Sequence, residues 1–285
     1  MSTKKNDEMR AKLLLKPKTE DAIAALQKDP DNGELWYAYA MSLKDGEAAI
    51  DAFCEGLIRN PFMPILYFGR GRKNLSARRY RRAVSDFTMS IRLDPEIYSF
   101  WYYRAVTNNL SGAYEDAIYD FQRAMEQTEP WERYGLIDWQ FVTYVEMGDR
   151  KRAKEVIDAM PPDLEAPPMH YAYKRRVLLY KGLITPEEFI DEDDIRARMV
   201  DQEDRFTLEI ATLLFGLYMY YVYIDDQKKA DETLLRLMDN MYPGAFGCIK
   251  GEACQESHSL QIVQSHGLHI EPNPAWGHCP GDSTF

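Results

Sequence analysis

The side chains with the strongest ligand chemistry are crowded into the last 45 residues. Thiols and imidazoles are the groups that zinc prefers, and four of them form the best candidate set: Cys248, Cys254, His258 and Cys279. Zinc sites usually pair two cysteines two to four residues apart. Here five residues separate Cys248 from Cys254. We therefore expect no metal or other cofactor, and we keep a metal-binding or catalytic role of this tail as an alternative.

Two arginines recur with the same acidic partner. Arg70 is followed 16 residues later by Asp86, and Arg104 is followed at the same distance by Asp120. A lone arginine would be a candidate ligand hook. Because both members of the pair repeat, the pattern instead predicts a structural ion pair inside each repeated unit.

A basic run over residues 69–82 contains seven bases and no acid. Its candidate patch consists of Arg78, Arg79, Arg81 and Arg82. Such a patch suits an acidic peptide, a phosphorylated segment or RNA, or it is a solvated turn. The chain has a formal net charge of −11, which argues against nucleic acid as a general partner. RNA or phospho-ligand binding through residues 69–82 remains an alternative function.

These residues belong to a sequence period. Residue types recur at an offset of 34 in the pairs Tyr67 and Trp101, Gly71 and Ala105, Asn74 and Asn108, Tyr80 and Tyr114, Ala83 and Ala117, and Phe87 and Phe121. This pattern resembles the tetratricopeptide repeat (TPR), a 34-residue helix–turn–helix unit with aromatic residues, small residues at the helix contact and a terminal proline. The aromatic residues fill space between stacked helix pairs, and the small ones let helices approach closely.

The resemblance predicts an all-α, right-handed α–α superhelix with an irregular C-terminal extension. Degenerate units precede and follow the two central ones, and one of them has Phe189 where a small residue is usual. We expect an N-terminal segment over 1–18 that includes a possible helix, a repeat domain over 19–240, and a Gly-, Pro-, Cys- and His-rich extension over 241–285. Each helix pair in such a stack contacts mainly its neighbours.

A stack of this kind has a concave groove lined by the first helix of each pair. Helix counting predicts that ten residues line it: Tyr37, Met41, Phe68, Arg72, Leu75, Tyr102, Val106, Asn109, Asp138 and Val142. Apolar groups interrupted by isolated polar ones suit a peptide or a helix, because the former supply affinity and the latter set register. The alternative is that some of them only pack against the next repeat.

Some TPR domains hold a C-terminal carboxylate with a clamp of Lys, Asn and Arg. Tyr37 and Met41, or Phe68 and Arg72, stand where the first Lys and Asn of that clamp would fall, so the clamp pattern is absent.

For the tail, the ordinary interpretation is an extension that covers the last helix pair. A sharper hypothesis is that the tail folds back into the groove as an internal ligand.

Other classes of function find little support in the sequence. Motifs for nucleotide binding, serine hydrolysis and zinc proteolysis are absent, so we expect no enzyme. The apolar block at residues 13–15 is too short for a secretory signal, which favours a cytoplasmic location and no membrane insertion. The predicted function is a non-catalytic protein-interaction scaffold with a protein or peptide partner, and self-association stays open.

Overall fold

The computed structural model describes residues 2–14, 17–166, 170–199, 203–240, 242 and 245–253. These residues form α-helices and one 3₁₀ helix (Pro130–Glu132), with no β-strand among them. The α-helices are α1 (Ser2–Leu14), α2 (Thr19–Lys28), α3 (Gly33–Ser42), α4 (Gly46–Arg59), α5 (Pro64–Ser76), α6 (Tyr80–Leu93), α7 (Tyr98–Leu110), α8 (Tyr114–Met125), α9 (Arg133–Glu146), α10 (Arg150–Asp158), α11 (Tyr171–Tyr180), α12 (Pro186–Phe189), α13 (Glu192–Arg198), α14 (Glu203–Tyr223) and α15 (Gln227–Asp239). Residues 246–253 are also helical.

Consecutive helices pack against each other along the chain, as a solenoid requires. The pairs α5–α6 and α7–α8 follow the predicted period, since α7 begins 34 residues after α5 and α8 begins 34 residues after α6. The flanking pairs are α3–α4, α9–α10 and α14–α15. The prediction of an all-α repeat solenoid is confirmed.

One hydrogen bond ties each early repeat to the one before it. The indole Nε1 of Trp101 donates to the carbonyl of Pro95 at 2.9 Å, and Trp36 donates to Pro30 at 2.7 Å. The hydroxyl of Tyr67 donates to the carbonyl of Pro61 at 3.1 Å. In all three cases the acceptor lies six residues before the aromatic ring. The recurring aromatic and proline therefore act together, because the polar group on the ring satisfies the proline's own carbonyl at the junction.

Small residues fix how closely the two helices of a repeat approach. A Cβ atom at Gly71 of α5 would lie 2.7 Å from a ring carbon of the buried Phe87 in α6. The equivalent Ala105 of α7 is fully buried. The repeat thus needs a short side chain here for steric reasons, as the sequence predicted.

The turns between paired helices share a left-handed backbone residue. Gly112 and Gly148 have φ values of +82° and +74°, and Arg78 occupies the corresponding place at +60°. Glycine adopts this conformation at no steric cost, whereas a residue with a Cβ is strained there. The turn at Arg78 is therefore conserved in geometry within the chain but not in residue type.

The repeat pattern changes after α10. Thr185 caps α12 through a capping box, with its backbone N–H donating to Glu188 at 3.0 Å. The second helix of this unit is only four residues long, and Phe189 at its end is fully buried. The acidic residues that follow build α13, which carries Glu192, Asp193 and Asp194 in its first turn. Acidic groups there complement the helix dipole.

The first helix lies along the edge where one repeat passes to the next. Lys5 of α1 pairs with Glu96 at 2.8 Å, and Lys12 pairs with Glu34 at 2.6 Å. The Asn6 side chain accepts from the backbone N–H of Tyr98 at 3.0 Å. The N-terminal segment is thus helical over Ser2–Leu14, and it contacts α3 and the junction between α6 and α7.

Helix α14 is long and apolar enough to cross a membrane by length and composition. Most of that helix is buried within the fold, where it packs against α11 and α15. The core helix of a soluble protein meets the same criteria. The expectation of no membrane insertion stays a prediction.

Candidate protein-binding groove

Seven of the ten predicted groove residues are buried: Tyr37, Phe68, Leu75, Val106, Asn109, Asp138 and Val142. Met41, Arg72 and Tyr102 are partly exposed. The expectation that all ten line an open groove is therefore wrong in geometry. Phe68 shows the reason, since its ring packs against the rings of Phe87 and Phe100 at 5.7 and 5.0 Å. Aromatic packing within and between repeats therefore buries Phe68.

The repeated arginines form the structural ion pairs that the sequence predicts. Arg70 Nη2 lies 2.7 Å from Asp86 Oδ1, and Arg104 and Asp120 repeat this distance. Asn74 and Asn108, also 34 residues apart, each donate to the nearby aspartate at 3.1 and 3.0 Å, respectively. These arginines stabilise their own repeats and are not ligand hooks.

Three aromatic rings on the concave side surround Phe246 of the C-terminal segment, which we define as residues 245–253. The Phe246 ring lies 5.5 Å from that of Tyr103, 6.3 Å from Trp139 and 6.4 Å from Tyr102. The contact with Tyr103 is edge-to-face, with an interplanar angle of 85°. Such pairs stabilise by roughly 1 kcal/mol beyond their burial. The segment is therefore packed against α7 and α9.

One turn later, the same segment places a buried cation in the groove. Lys250 Nζ lies 2.8 Å from Glu146 Oε1, with 7% and 13% of their side chains exposed. Asn109 donates to the other oxygen of Glu146 at 2.8 Å and to Thr143 at 3.1 Å. Burial raises the pKa of Glu146, while the Lys250 charge opposes that shift. Asn109 is thus fully buried and holds the carboxylate that receives Lys250.

The segment also fits tightly against the last helix pair. A Cβ at Gly247 would lie 2.6 Å from the Phe215 side chain of α14. The buried Cys248 accepts a hydrogen bond from the Tyr242 backbone N–H at 3.4 Å. Cys254, His258 and Cys279 lie outside the described residues. Within the described ranges no cluster of three metal-ligating side chains occurs.

Beside Phe246, a cavity of about 150 Å³ holds two cations, Arg72 and Lys73. The rest of its wall is Met41, Leu75, Ser76 and Tyr103. The Arg72 guanidinium lies over the rings of Phe68 and Tyr103, at 5.8 and 5.4 Å from their centroids. In the described part of the chain, no carboxylate lies within ion-pair distance of either cation. Burial and then the Arg72 charge lower the pKa of Lys73. The cavity therefore combines two positive charges with the side chains of Met41 and Leu75 and the ring of Tyr103.

The basic patch lies at the turn between α5 and α6, where the sequence put it. Arg78 lies 2.7 Å from Glu252, and Arg79 lies 2.7 Å from Glu47. Arg81 and Arg82 are exposed and line an outer cavity of about 340 Å³. The patch is therefore divided between an intramolecular role and the outer surface.

Asp138 lies away from the open groove, in a buried pair with Arg176 of α11. The Arg176 Nε atom is 2.8 Å from Asp138 Oδ1, and both side chains are almost fully buried. Burial raises the pKa of Asp138 to about 7, against the opposing charge of Arg176. The prediction of a groove role for Asp138 is wrong in geometry, since helix counting does not show that α11 carries a buried arginine facing it.

Sequence reasoning counted Lys73 only as one base of the run over residues 69–82, and it assigned no role to Phe246 or Lys250. The signal for the last two was present, since an aromatic residue and a base four positions apart share one helix face. Their surroundings concealed it, because the stretch is rich in glycine, and glycine is a poor helix former.

A family model described as "Tetratricopeptide repeat" matches residues 65–130, which span α5 to α8. Residues 65–130 therefore form tetratricopeptide repeats, and the neighbouring helix pairs continue the same stack. Among curated proteins, none matches the chain.

Solved structures with similar architecture include YrrB, described as a TPR protein with an unusual peptide-binding site. It has 15% identity and a TM-score of 0.46, over 82% of this chain and 99% of that one. A structure of Naa15/Naa10 bound to HypK-THB gives 18% identity and a TM-score of 0.41, over 87% of this chain and 39% of that one. The TPR domain of P58(IPK) gives 13% identity and a TM-score of 0.25, over 84% of this chain and 93% of that one.

Proposed function

We propose that the chain is a non-catalytic scaffold that binds a peptide or helix of a partner protein in its concave groove. The observation that carries this proposal is the cavity at Arg72 and Lys73, where two cations, with no acidic partner among the described residues, lie beside Met41, Leu75 and Tyr103. Apolar contact supplies affinity, and a charge-assisted hydrogen bond from arginine to a carboxylate sets register. A cytoplasmic location belongs to the same proposal.

The cation pair also defines the charge that we expect on the bound peptide. Two neighbouring positive charges repel each other, and an anionic group between them relieves that repulsion. The ring contacts on Arg72 hold the guanidinium in place before binding, which lowers the entropic cost of capturing a ligand. We therefore expect the bound peptide to carry an Asp or Glu next to apolar residues.

A peptide library displayed on phage and selected against the full chain tests this function. We expect enriched sequences to carry an acidic residue beside apolar ones. Their affinity is expected to fall about tenfold or more for Arg72→Gln, since a hydrogen bond to a charged group contributes roughly 1.5–3 kcal/mol. Arg82→Gln on the outer face is the matched control and keeps full affinity. Equal loss in both variants, or selected peptides without acidic residues, contradicts the proposal.

A further inference from the structure

The C-terminal segment contacts the stack at three separated places. Phe246 enters the ring cluster of α7 and α9, and Lys250 pairs with Glu146 at the end of α9. Glu252 accepts from Arg78 Nη2 at 2.7 Å, at the turn after α5. A segment that only covered the last helix pair would touch α14 and α15 alone. This one crosses the concave side of the earlier repeats.

The sequence of the segment is suited to that position. Gly247 and Gly251 face the last helix pair, and added Cβ atoms would lie 2.6 Å from Phe215 and 3.0 Å from Leu237. The opposite contacts are made by an aromatic residue and a lysine four positions apart, a spacing that puts both on one helix face. One face is therefore shaped for close packing and the other for recognition.

We infer that residues 245–253 occupy the partner site as an internal ligand. We further infer that the partner is a helix with an aromatic residue and, four positions later, a basic residue, in place of Phe246 and Lys250. This inference rests on the proposed function and names the partner class. The partner's acidic group then reaches the cavity at Arg72 and Lys73, which the segment borders but leaves without a counter-charge.

Tethering decides how strongly the segment competes. Few residues separate α15, which ends at Asp239, from residue 245. A link of so few residues gives an effective concentration on the order of millimolar. A partner then binds with an apparent affinity reduced by the fraction of molecules whose groove is open. Weakening the segment's own contacts should therefore strengthen binding of any helix that uses the same site.

The test uses a fluorescent synthetic peptide with the sequence of residues 242–253 under reducing conditions. Its binding is measured to the full wild-type chain and to the full-length double variant Phe246→Ala/Lys250→Ala. We expect the peptide to bind the double variant about tenfold or more tightly than the wild type, where the groove is already filled. A peptide with the same two alanines should not bind, and Glu146→Lys in the double variant should remove binding of the original peptide.

Equal binding to both chains, or binding to neither, overturns the inference. Loss of cooperative melting in the single variant Phe246→Ala also overturns it, because the segment is then a structural part of the stack. Exchange of the segment between two copies, seen as a wild-type dimer in sedimentation, overturns the intramolecular assignment. If the selected acidic peptides still bind while the 242–253 peptide does not, the groove function stands and only this inference fails.

Discussion

Lys250 of the C-terminal segment and Glu146 at the end of α9 form a buried ion pair of 2.8 Å. It joins the extension, which the repeat period does not cover, to the middle of the stack. Asn109 donates to the same carboxylate, so three parts of the chain meet at one charge. Removing one partner of such a pair is costly because the other charge is left buried. This contact therefore links the C-terminal segment to the repeats.

The repeated Arg–Asp pair sets the stability of each central repeat. Arg104→Ala leaves Asp120, which is 2% exposed, without its cation, and burial already raises the pKa of Asp120. We expect the free energy of unfolding to fall by about 3 kcal/mol. Arg150→Ala breaks the exposed pair with Asp225 and serves as the control, with a loss of about 1 kcal/mol or less. Urea denaturation measures both, and equal losses would contradict the structural role of Arg104.

Much of this could be predicted from the sequence, and particular residues show why. Small residues recur at Gly71 and Ala105, and the pair of Arg70 and Asp86 recurs one period later. Recurring residue types indicate recurring contacts. Asp138 was misplaced because its partner Arg176 comes from a helix whose packing no period encodes. Lys250 was missed for a related reason, since its position follows from how a single non-repeated segment folds back.

Gly71 tests the close approach of α5 and α6. In Gly71→Ala the new Cβ lies 2.7 Å from the Phe87 ring, and overpacking of this kind costs about 1–3 kcal/mol. The gain in helix propensity, about 1 kcal/mol, offsets only part of it, so the melting temperature should fall. Gly46→Ala is the matched control, because nothing lies within 4 Å of its added Cβ. It should leave stability unchanged or raise it, and a higher melting temperature for Gly71→Ala would refute the packing argument.

Asp138 makes stability depend on pH near neutrality. Its folded pKa of about 7 lies above the value of about 3.9 in an unfolded chain. The folded chain thus binds the extra proton between those values, and the stabilisation is present below about pH 4 and lost as pH rises through 7. Relative to Asp138→Asn, wild-type stability should fall by roughly 2–3 kcal/mol from pH 5 to pH 7. Urea titrations at both pH values check this, and a constant difference between the proteins would contradict it.

His170 acts in the opposite direction. Burial, and then the charge of Arg10, lower its pKa to about 4, below the value of about 6.5 for an unfolded chain. Its contribution is therefore present above about pH 6.5 and lost as pH falls toward 4. Compared with His170→Gln, the wild type should gain about 2 kcal/mol from pH 5 to pH 6.5. Denaturation curves at those two pH values decide the matter, and a falling or flat difference would count against a buried neutral imidazole.

The central claim, that the groove holds a helix and that its present occupant is the chain's own segment, is tested most directly by hydrogen exchange at residues 246–253. The full-length proteins to compare are the wild type, Lys250→Glu, Glu146→Lys and the double exchange. We predict slow exchange of these amides in the wild type, fast exchange in each single variant, and slow exchange again in the double variant. Fast exchange in the wild type, or the same exchange rates in all four proteins, would contradict the account.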